Sequence, residues 1–423
     1  MIAWSMRDPS RLGESCVFPE EQQARIIGRG RGEPSDGAAR AEFIPRRPGF
    51  SGAAAPLDGA TLSRRHVRVT RVGDALNVTN MGRSTMALDG EPVARCELVE
   101  SCTLLLAQEM LFLCDRRPTD FGRVQKGQGD FDFGRADPQG LVGETAEFWA
   151  LRDRIRFAAG TSAGVLVTGS AGSGRESVGR AIHKLSPSRQ NPIVAIDGSS
   201  LRSDDLEGLL RREDHPTLLI DELSDVGFEL QPTLARYAAR IATRPPPRGQ
   251  LLATTTKNAD KIRPSLANRF PLTVRVPDLE ERRADIPLIA RDMLHHMARE
   301  QPEIGHRYFE GWDETEPGKG EPRLSPLLMI RLLVHEWAGN VRELSSVLWR
   351  IVLSSPSTFL DVTPDVEPLL GLPRGTEPGV LEPQAIRDAL RHTNGKVAAA
   401  ARHLGLKSRF QLYRLMEKYD IKG

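Results

Sequence analysis

The chain has 423 residues, enough for two to four domains with sizeable cores, and its 58 basic and 56 acidic side chains leave a formal charge of +2. That balance excludes a protein that is polybasic or polyacidic throughout, so any nucleic-acid contact must come from a local segment. Cys16, Cys96, Cys102 and Cys114 show no Cys-x-x-Cys spacing and no matching histidines, which argues against a zinc site and for reduced thiols. No apolar run approaches membrane-spanning length and Met1–Arg11 lacks a signal-peptide core, so a soluble, cytoplasmic protein with no membrane contact is expected.

From about Ala24 to Cys114, short apolar stretches alternate with Gly, Pro, Asn and Asp, the pattern of a small β-sandwich. Candidate strands are Ala24–Ile27, His66–Thr70, Ala75–Thr79, Thr85–Leu88, Leu104–Leu106 and Met110–Cys114, with Gly30–Gly59 as a long, mobile loop. Asp115–Gly140 has few large aliphatic residues and reads as a linker.

The stretch Val165–His183, VLVTGSAGSGRESVGRAIH, reads as a buried strand, a glycine-rich turn and a helix with Val178, Ala181 and Ile182 on one face. Such a turn aims backbone N–H groups and the positive end of a helix dipole at one spot, which suits a phosphate. Gly169, Gly172, Ser173 and Gly174 fit the P-loop pattern, but Arg175 replaces its lysine and Glu176 the hydroxyl that would hold magnesium. A corner whose glycines serve only packing is the alternative. Ile193–Asp197 is a second buried strand. Leu218–Glu222 is an apolar strand ending in two carboxylates, Asp221 suited to magnesium and Glu222 to polarising the attacking water. Leu251–Thr256 is another strand, ending in hydroxyls. Strands alternating with helices imply a parallel α/β sheet with its site along the C-terminal edge.

Asp361–Gly379 is rich in Pro and Gly and reads as a second linker. Leu381–Gly423 is helical in pattern and basic, with Gln384–His392 and Lys396–Leu404 as two helices and Ser408 as the N-cap of a third.

Three resemblances attach to these segments. Ile27-Gly28-Arg29, Leu62–His66, Asn80–Ser84 and Asp89-Gly90 resemble the forkhead-associated (FHA) domain, a β-sandwich that binds phosphothreonine peptides. The resemblance implies that Arg29 and Ser63 touch the phosphate with Arg64 beside them, that His66 braces the loop, and that Ser84 stands near the peptide; the family's Asn-Gly-Thr is absent. A sandwich kept only for packing or dimer contacts is the alternative.

Leu141 to about Ser354 is similar to the AAA+ module of bacterial sigma-54-dependent activators. Val142-Gly143, Arg180–His183, Ile262–Phe270, Val276–Pro287 and Trp337–Leu344 carry the resemblance. It implies ATP or ADP with Mg2+ as cofactor and a ring oligomer in which Arg263 and Arg269 reach a neighbouring subunit's γ-phosphate. Arg342 becomes the sensor arginine of a helical lid at about 280–355, and Thr256 stands at the family's sensor position. The family's GAFTGA loop has no counterpart in Gly198–Thr217, a second insertion shrinks to Thr243–Gly249, and Asp197 and Thr256 replace asparagines. The missing loop counts against contact with RNA polymerase holoenzyme, and the altered positions imply weak or absent hydrolysis.

The C-terminal segment is similar to the Fis-type helix-turn-helix, with Lys407, Ser408, Arg409, Gln411 and Arg414 placed to meet DNA and a dimer or larger assembly implied. A three-helix dimerisation module is the alternative.

The expected organisation is therefore multidomain. An all-β FHA-like sandwich (1–115) and a linker (116–140) precede an α/β AAA+ P-loop domain with helical lid (141–360); a second linker (361–380) leads to an α-helical helix-turn-helix (381–423). The expected function is a DNA-binding transcription regulator that senses phosphothreonine and binds ATP. An active ATPase serving sigma-54 polymerase and a phosphopeptide-dependent scaffold with a structural AAA+ core are the alternatives.

Overall fold

The computed structural model describes residues 1–30, 38–118, 131–214, 216–243, 249–256, 261–316, 318–370 and 387. Residues 1–370 form one compact unit and residues 371–423 a second. The helix-turn-helix, with Lys407, Ser408, Arg409, Gln411 and Arg414, lies outside the described residues.

The N-terminal part contributes strands β1 (Ile2–Ser5), β2 (Ala24–Ile27), β3 (Ala39–Arg40), β4 (Arg46–Arg47), β5 (Phe50–Ser51), β6 (Val67–Val72), β7 (Ala75–Asn80), β8 (Met86–Leu88), β9 (Glu91–Pro92), β10 (Arg95–Leu98), β11 (Thr103–Leu106) and β12 (Met110–Leu113). They form two five-stranded sheets, β1-β12-β11-β8-β9 and β10-β7-β6-β2-β3, and a small β4–β5 hairpin. The stretch expected to be a loop thus carries β3, β4 and β5 in its described part.

β1 escaped the sequence pattern because Ile2, Ala3 and Trp4 are all buried, so no polar alternation marks a strand. β1, β12 and β11 are covered on both faces. Ile2, Phe112, Leu104 and Leu106 join the core between the sheets, whereas Ala3, Trp4, Leu105, Leu111 and Leu113 join the core of the helical lid.

The central part has strands β13 (Val165–Thr168), β14 (Ile193–Asp197), β15 (Thr217–Asp221), β16 (Leu251–Thr255) and β17 (Leu272–Arg275), in the order β14-β15-β16-β13-β17. All pairs are parallel. Helices α1 (Ala146–Ala159) and α2 (Arg175–Leu185) cover the face carrying Val165, Val167 and Leu219. Helices α3 (Ser203–Arg211), α4 (Gln231–Ala242) and α5 (Pro264–Ala267) cover the face carrying Leu218, Ile220 and Ala253. The interval between β14 and β15 holds α3 and short turns.

The lid comprises α6 (Ile286–Glu300), α7 (Pro302–Tyr308), α8 (Pro326–Val334) and α9 (Asn340–Ser354). The sandwich docks on it directly, with Trp4 Nε1 donating to Leu324 O at 3.0 Å. Residues 131–140, which read as linker, are packed into this junction. Arg135 pairs with Glu321 at 2.9 Å, and Gly134 O accepts from Arg291 Nη2 at 2.7 Å. Arg47 pairs with Glu144 at 2.5 Å, with side chains only 5% and 1% exposed, and its guanidinium lies over the Phe131 ring. A buried ion pair adds little over an apolar pair, but removing one partner strands the other charge. Arg47→Ala is expected to cost about 3–5 kcal/mol, read as a lower urea midpoint, because it strands Glu144.

His295 on α6 gives this junction a pH dependence. Burial, then Arg135, Arg291 and Arg299, push its imidazole down to about 3. The unfolded chain therefore binds a proton below about pH 6.5 that the folded chain refuses, so stability falls as pH drops from about 6.5 toward 3. Between pH 7 and pH 5 this site should remove about 2 kcal/mol, and His295→Gln should flatten the slope in denaturation curves at the two pH values.

Candidate functional site

The glycine-rich turn joins β13 to α2. Gly174 adopts φ +100° as the residue before α2, and Gly172 adopts φ +74°. These conformations suit glycine. The lid closes onto this loop: Arg342 N donates to Gly172 O at 3.3 Å, Asn340 Nδ2 to Ala171 O at 3.2 Å, and Leu279 N to Asn340 Oδ1 at 2.7 Å. The Arg342 side chain itself is exposed.

Arg175 starts α2, yet its side chain folds back across the sheet edge. Nη1 donates to Gly169 O at 3.1 Å, and Nη2 lies 3.2 Å from Glu222 Oε2. Glu222 also accepts from Ser224 Oγ at 2.9 Å, Thr255 Oγ1 at 3.0 Å and Thr256 N at 2.9 Å. Burial pushes the Glu222 carboxyl up, but the hydrogen bonds from Thr256, Ser224 and Thr255 outweigh it and hold the group below its ordinary value. Glu222 is thus an ionised carboxylate already committed on several sides, with a backbone φ of +56°.

Asp221 ends β15, where Thr254 Oγ1 donates to Oδ1 at 2.5 Å; Glu222 N donates back to Thr254 Oγ1 at 3.0 Å. The register Ile220↔Ala253 sets Thr254 beside Asp221. Ser173 is buried with no hydrogen-bond partner for Oγ among the described residues, and Glu176 turns to the helix surface, where it pairs with Arg180. Asp197 is exposed and bonds Ser199, first through the side chain and then the backbone, which holds its carboxyl low.

Val142 and Gly143 lie at the seam between sheet and lid. Gly143 O accepts from Arg152 Nη1 at 2.7 Å, while Glu144 N and Thr145 N donate to the buried Asp285. Arg282 bridges this seam to the loop, its Nη2 at 3.5 Å from Ser173 O and its guanidinium over the Phe148 ring. Arg263 points elsewhere: it stacks 3.6 Å from the centroid of the exposed Phe228 ring and donates to Phe228 O at 3.1 Å. Arg269 is exposed after α5.

The second candidate region lies on the sandwich loops. Arg29 and Arg64 are exposed, and Ser63 and Ser84 are half-buried. Buried His66 ties them together, its Nδ1 accepting from Ser63 N at 3.3 Å and its carbonyl accepting from Met81 N at 2.7 Å and Gly82 N at 2.9 Å. Burial pushes the His66 imidazole down, so it stays neutral and able to accept. Ser84 Oγ donates to Thr61 O at 2.7 Å, and Arg40 Nη1 joins Gly28 O to Arg64 O at 2.8 and 3.2 Å.

Two family models match, in chain order. Residues 141–207 match the sigma-54 interaction domain, and residues 379–419 match the bacterial regulatory protein, Fis family. The chain is 29% identical over 337 residues to the putative uric acid sigma-54-dependent transcriptional regulator UacR of Escherichia coli K12, covering 66% of this chain and 54% of that one. It is also 28% identical over 316 residues to the transcriptional regulatory protein ZraR of Escherichia coli K12, covering 65% of this chain and 68% of that protein. The chain spans about half the length of UacR. NtrX from Brucella abortus in complex with ATP is similar at 23% identity, covering 67% of this chain and 70% of that one, with a TM-score of 0.43. Among the described residues, no helix is long and apolar enough to cross a membrane.

Sequence reasoning named Asp221, Glu222 and Arg175 but missed Thr254, Ser224 and Phe228. The run Thr254-Thr255-Thr256 signalled hydroxyls at the sheet edge, but only the parallel register says which one meets Asp221.

Proposed function

We propose that this chain is a DNA-binding transcription regulator in which the P-loop domain holds ATP or ADP as a ligand and hydrolyses it slowly or not at all. The observation that carries the reading is the Arg175 guanidinium held between Gly169 O and Glu222. Incoming phosphates have to draw Arg175 away from Glu222, and the carboxylate that would polarise water is otherwise taken up by Thr255, Thr256 and Ser224. Asp221 would hold magnesium, whose role is to neutralise phosphate charge; Gly169, Gly172, Ser173, Gly174 and Arg175 would cradle the phosphates. Val142, Gly143 and Thr256 would line the same site, with Glu176 at its rim.

DNA binding is supported by the match over residues 379–419 and by the excess of nine Lys/Arg over four Asp/Glu in Leu381–Gly423. The interval without GAFTGA supports a regulator that does not remodel sigma-54 polymerase in the usual way. Purified full-length protein should bind a fluorescent ADP analogue and show turnover equal to a Glu222→Gln control, with and without DNA. Turnover above the control that Arg263→Ala abolishes would instead establish a working ring, the reading that Asp221, Glu222, Arg263, Arg269 and Arg342 favour. No nucleotide binding at all would leave the domain a scaffold.

The sandwich is read as a phosphothreonine receptor. Support comes from Arg29, Ser63, Arg64 and Ser84 on loops braced by His66. Arg64→Ala should weaken binding of a phosphothreonine peptide library about tenfold or more, as loss of a charge-assisted hydrogen bond does. Fluorescence polarisation with the unphosphorylated library as control would check it.

A further inference from the structure

The sandwich contains a cavity of about 360 Å3 that opens between its two sheets, at the end of β6 opposite the Ser63–His66 loop. That size lies within the range of about 300–1,000 Å3 typical of small-molecule pockets. Its walls are apolar, formed by Ile27, Phe43, Val69, Leu98, Leu104 and Phe112. Cys16 and Cys114 also line it. Burial pushes both thiols up, Cys114 to about 11, so each behaves as a small uncharged hydrophobe.

The mouth is polar and partly latched. Arg116 bridges Asp74 at 3.1 Å and Glu100 at 3.2 Å, so one guanidinium ties the β6–β7 turn to the approach to β11. Arg71 Nη1 donates to Pro19 O at 2.9 Å, which holds the segment preceding β2 over the opening. These groups satisfy one another.

Arg117 is different. Its side chain is 7% exposed and lines the cavity. Nε lies 3.4 Å from Asp115 Oδ2 and Nη2 3.2 Å from Met1 Sδ, but Nη1 is buried with no hydrogen-bond partner among the described residues. A buried cationic donor left unpaired is costly, and such groups call for an acceptor.

We propose that this cavity binds a small amphiphilic carboxylate, its aliphatic chain between the sheets and its carboxylate on Arg117 Nη1. A bare inorganic anion would leave the apolar walls empty, and a neutral hydrocarbon would leave Arg117 Nη1 without an acceptor. The site does not depend on the nucleotide or phosphopeptide readings.

Isothermal titration of the full-length protein with octanoate, 1-octanol and inorganic phosphate tests this. Octanoate is expected to bind one per chain and more tightly than octanol, with no heat from phosphate. Arg117→Met should weaken octanoate about tenfold or more and leave octanol unchanged, as expected for loss of a charge-assisted hydrogen bond. Leu98→Trp, which fills the wall, should abolish both. Absence of octanoate binding, or equal affinity of the wild-type chain for octanoate and octanol, overturns the proposal. The second comparison needs no variant, so a substitution that fails to fold does not protect it.

Discussion

Arg175→Lys is expected to hydrolyse ATP at least about tenfold faster than the wild-type chain, and Glu222→Gln to bind a fluorescent ADP analogue about tenfold more tightly. Both expectations follow from one geometry and rest on the nucleotide reading. Arg175 touches Gly169 O and Glu222 at once because a guanidinium is a planar fork with donors on both sides. An ammonium is a point charge that holds one partner closely. With lysine, the phosphates and Glu222 no longer share a cation fixed between them, and the carboxylate is left facing the position where water would attack. In Glu222→Gln the charged competitor is gone, so the full fork is available to phosphate. The two variants separate binding from chemistry: glutamine should improve affinity without turnover, lysine should restore turnover. The Arg175→Lys, Glu222→Gln double variant should return to background. Hydrolysis that stays at background in Arg175→Lys, together with unchanged affinity in Glu222→Gln, would mean that the ion pair does not control the site.

Legibility in the sequence followed from how local each feature is. The strand, glycine turn and helix at Val165–His183 could be read directly, since backbone conformation there is set by consecutive residues. Four of the five parallel strands were legible because their runs are short, mostly apolar and separated by helical patterns, whereas β17, with Thr273 and Arg275 alternating with Leu272 and Val274, was not read. β1 was not. Ile2, Ala3 and Trp4 are apolar because two different cores meet across one sheet, and the second of these is contributed by residues nearly three hundred positions later. Residues 131–140 misled in the opposite way. Their Gly, Asp and Pro content suggested a linker, yet Phe131 beneath Arg47 and Arg135 on Glu321 anchor them in the junction. Arg282 and Asp285 sit in a charged run that composition alone would expose to solvent, and both are buried because they stitch the sheet domain to its lid.

That stitching sets up the second large effect. Gly172→Ala should destabilise the protein by roughly 2–4 kcal/mol and weaken nucleotide binding, whereas Gly174→Ala should cost only about 1–3 kcal/mol. Both glycines adopt positive φ, so an alanine at either pays the left-handed strain. They differ in surroundings. A Cβ at Gly174 would meet nothing within 4 Å, but one at Gly172 would collide with the backbone oxygen of Gly339 and come within 3.0 Å of Arg342 Cβ. Backbone cannot rotate away as a side chain can, so the lid has to lift. Lifting it breaks the Arg342 N–Gly172 O and Asn340–Ala171 O hydrogen bonds and removes Arg342 from the loop it faces. Urea midpoints of the two variants, followed through tryptophan fluorescence, to which Trp337 buried in the lid contributes, distinguish strain from collision. Equal losses would mean that strain alone matters and that the lid rests on the loop without depending on it. A larger loss at Gly172 would show that the close contact between Gly172 and Gly339 holds the lid on the loop, and the sandwich shares that lid's core.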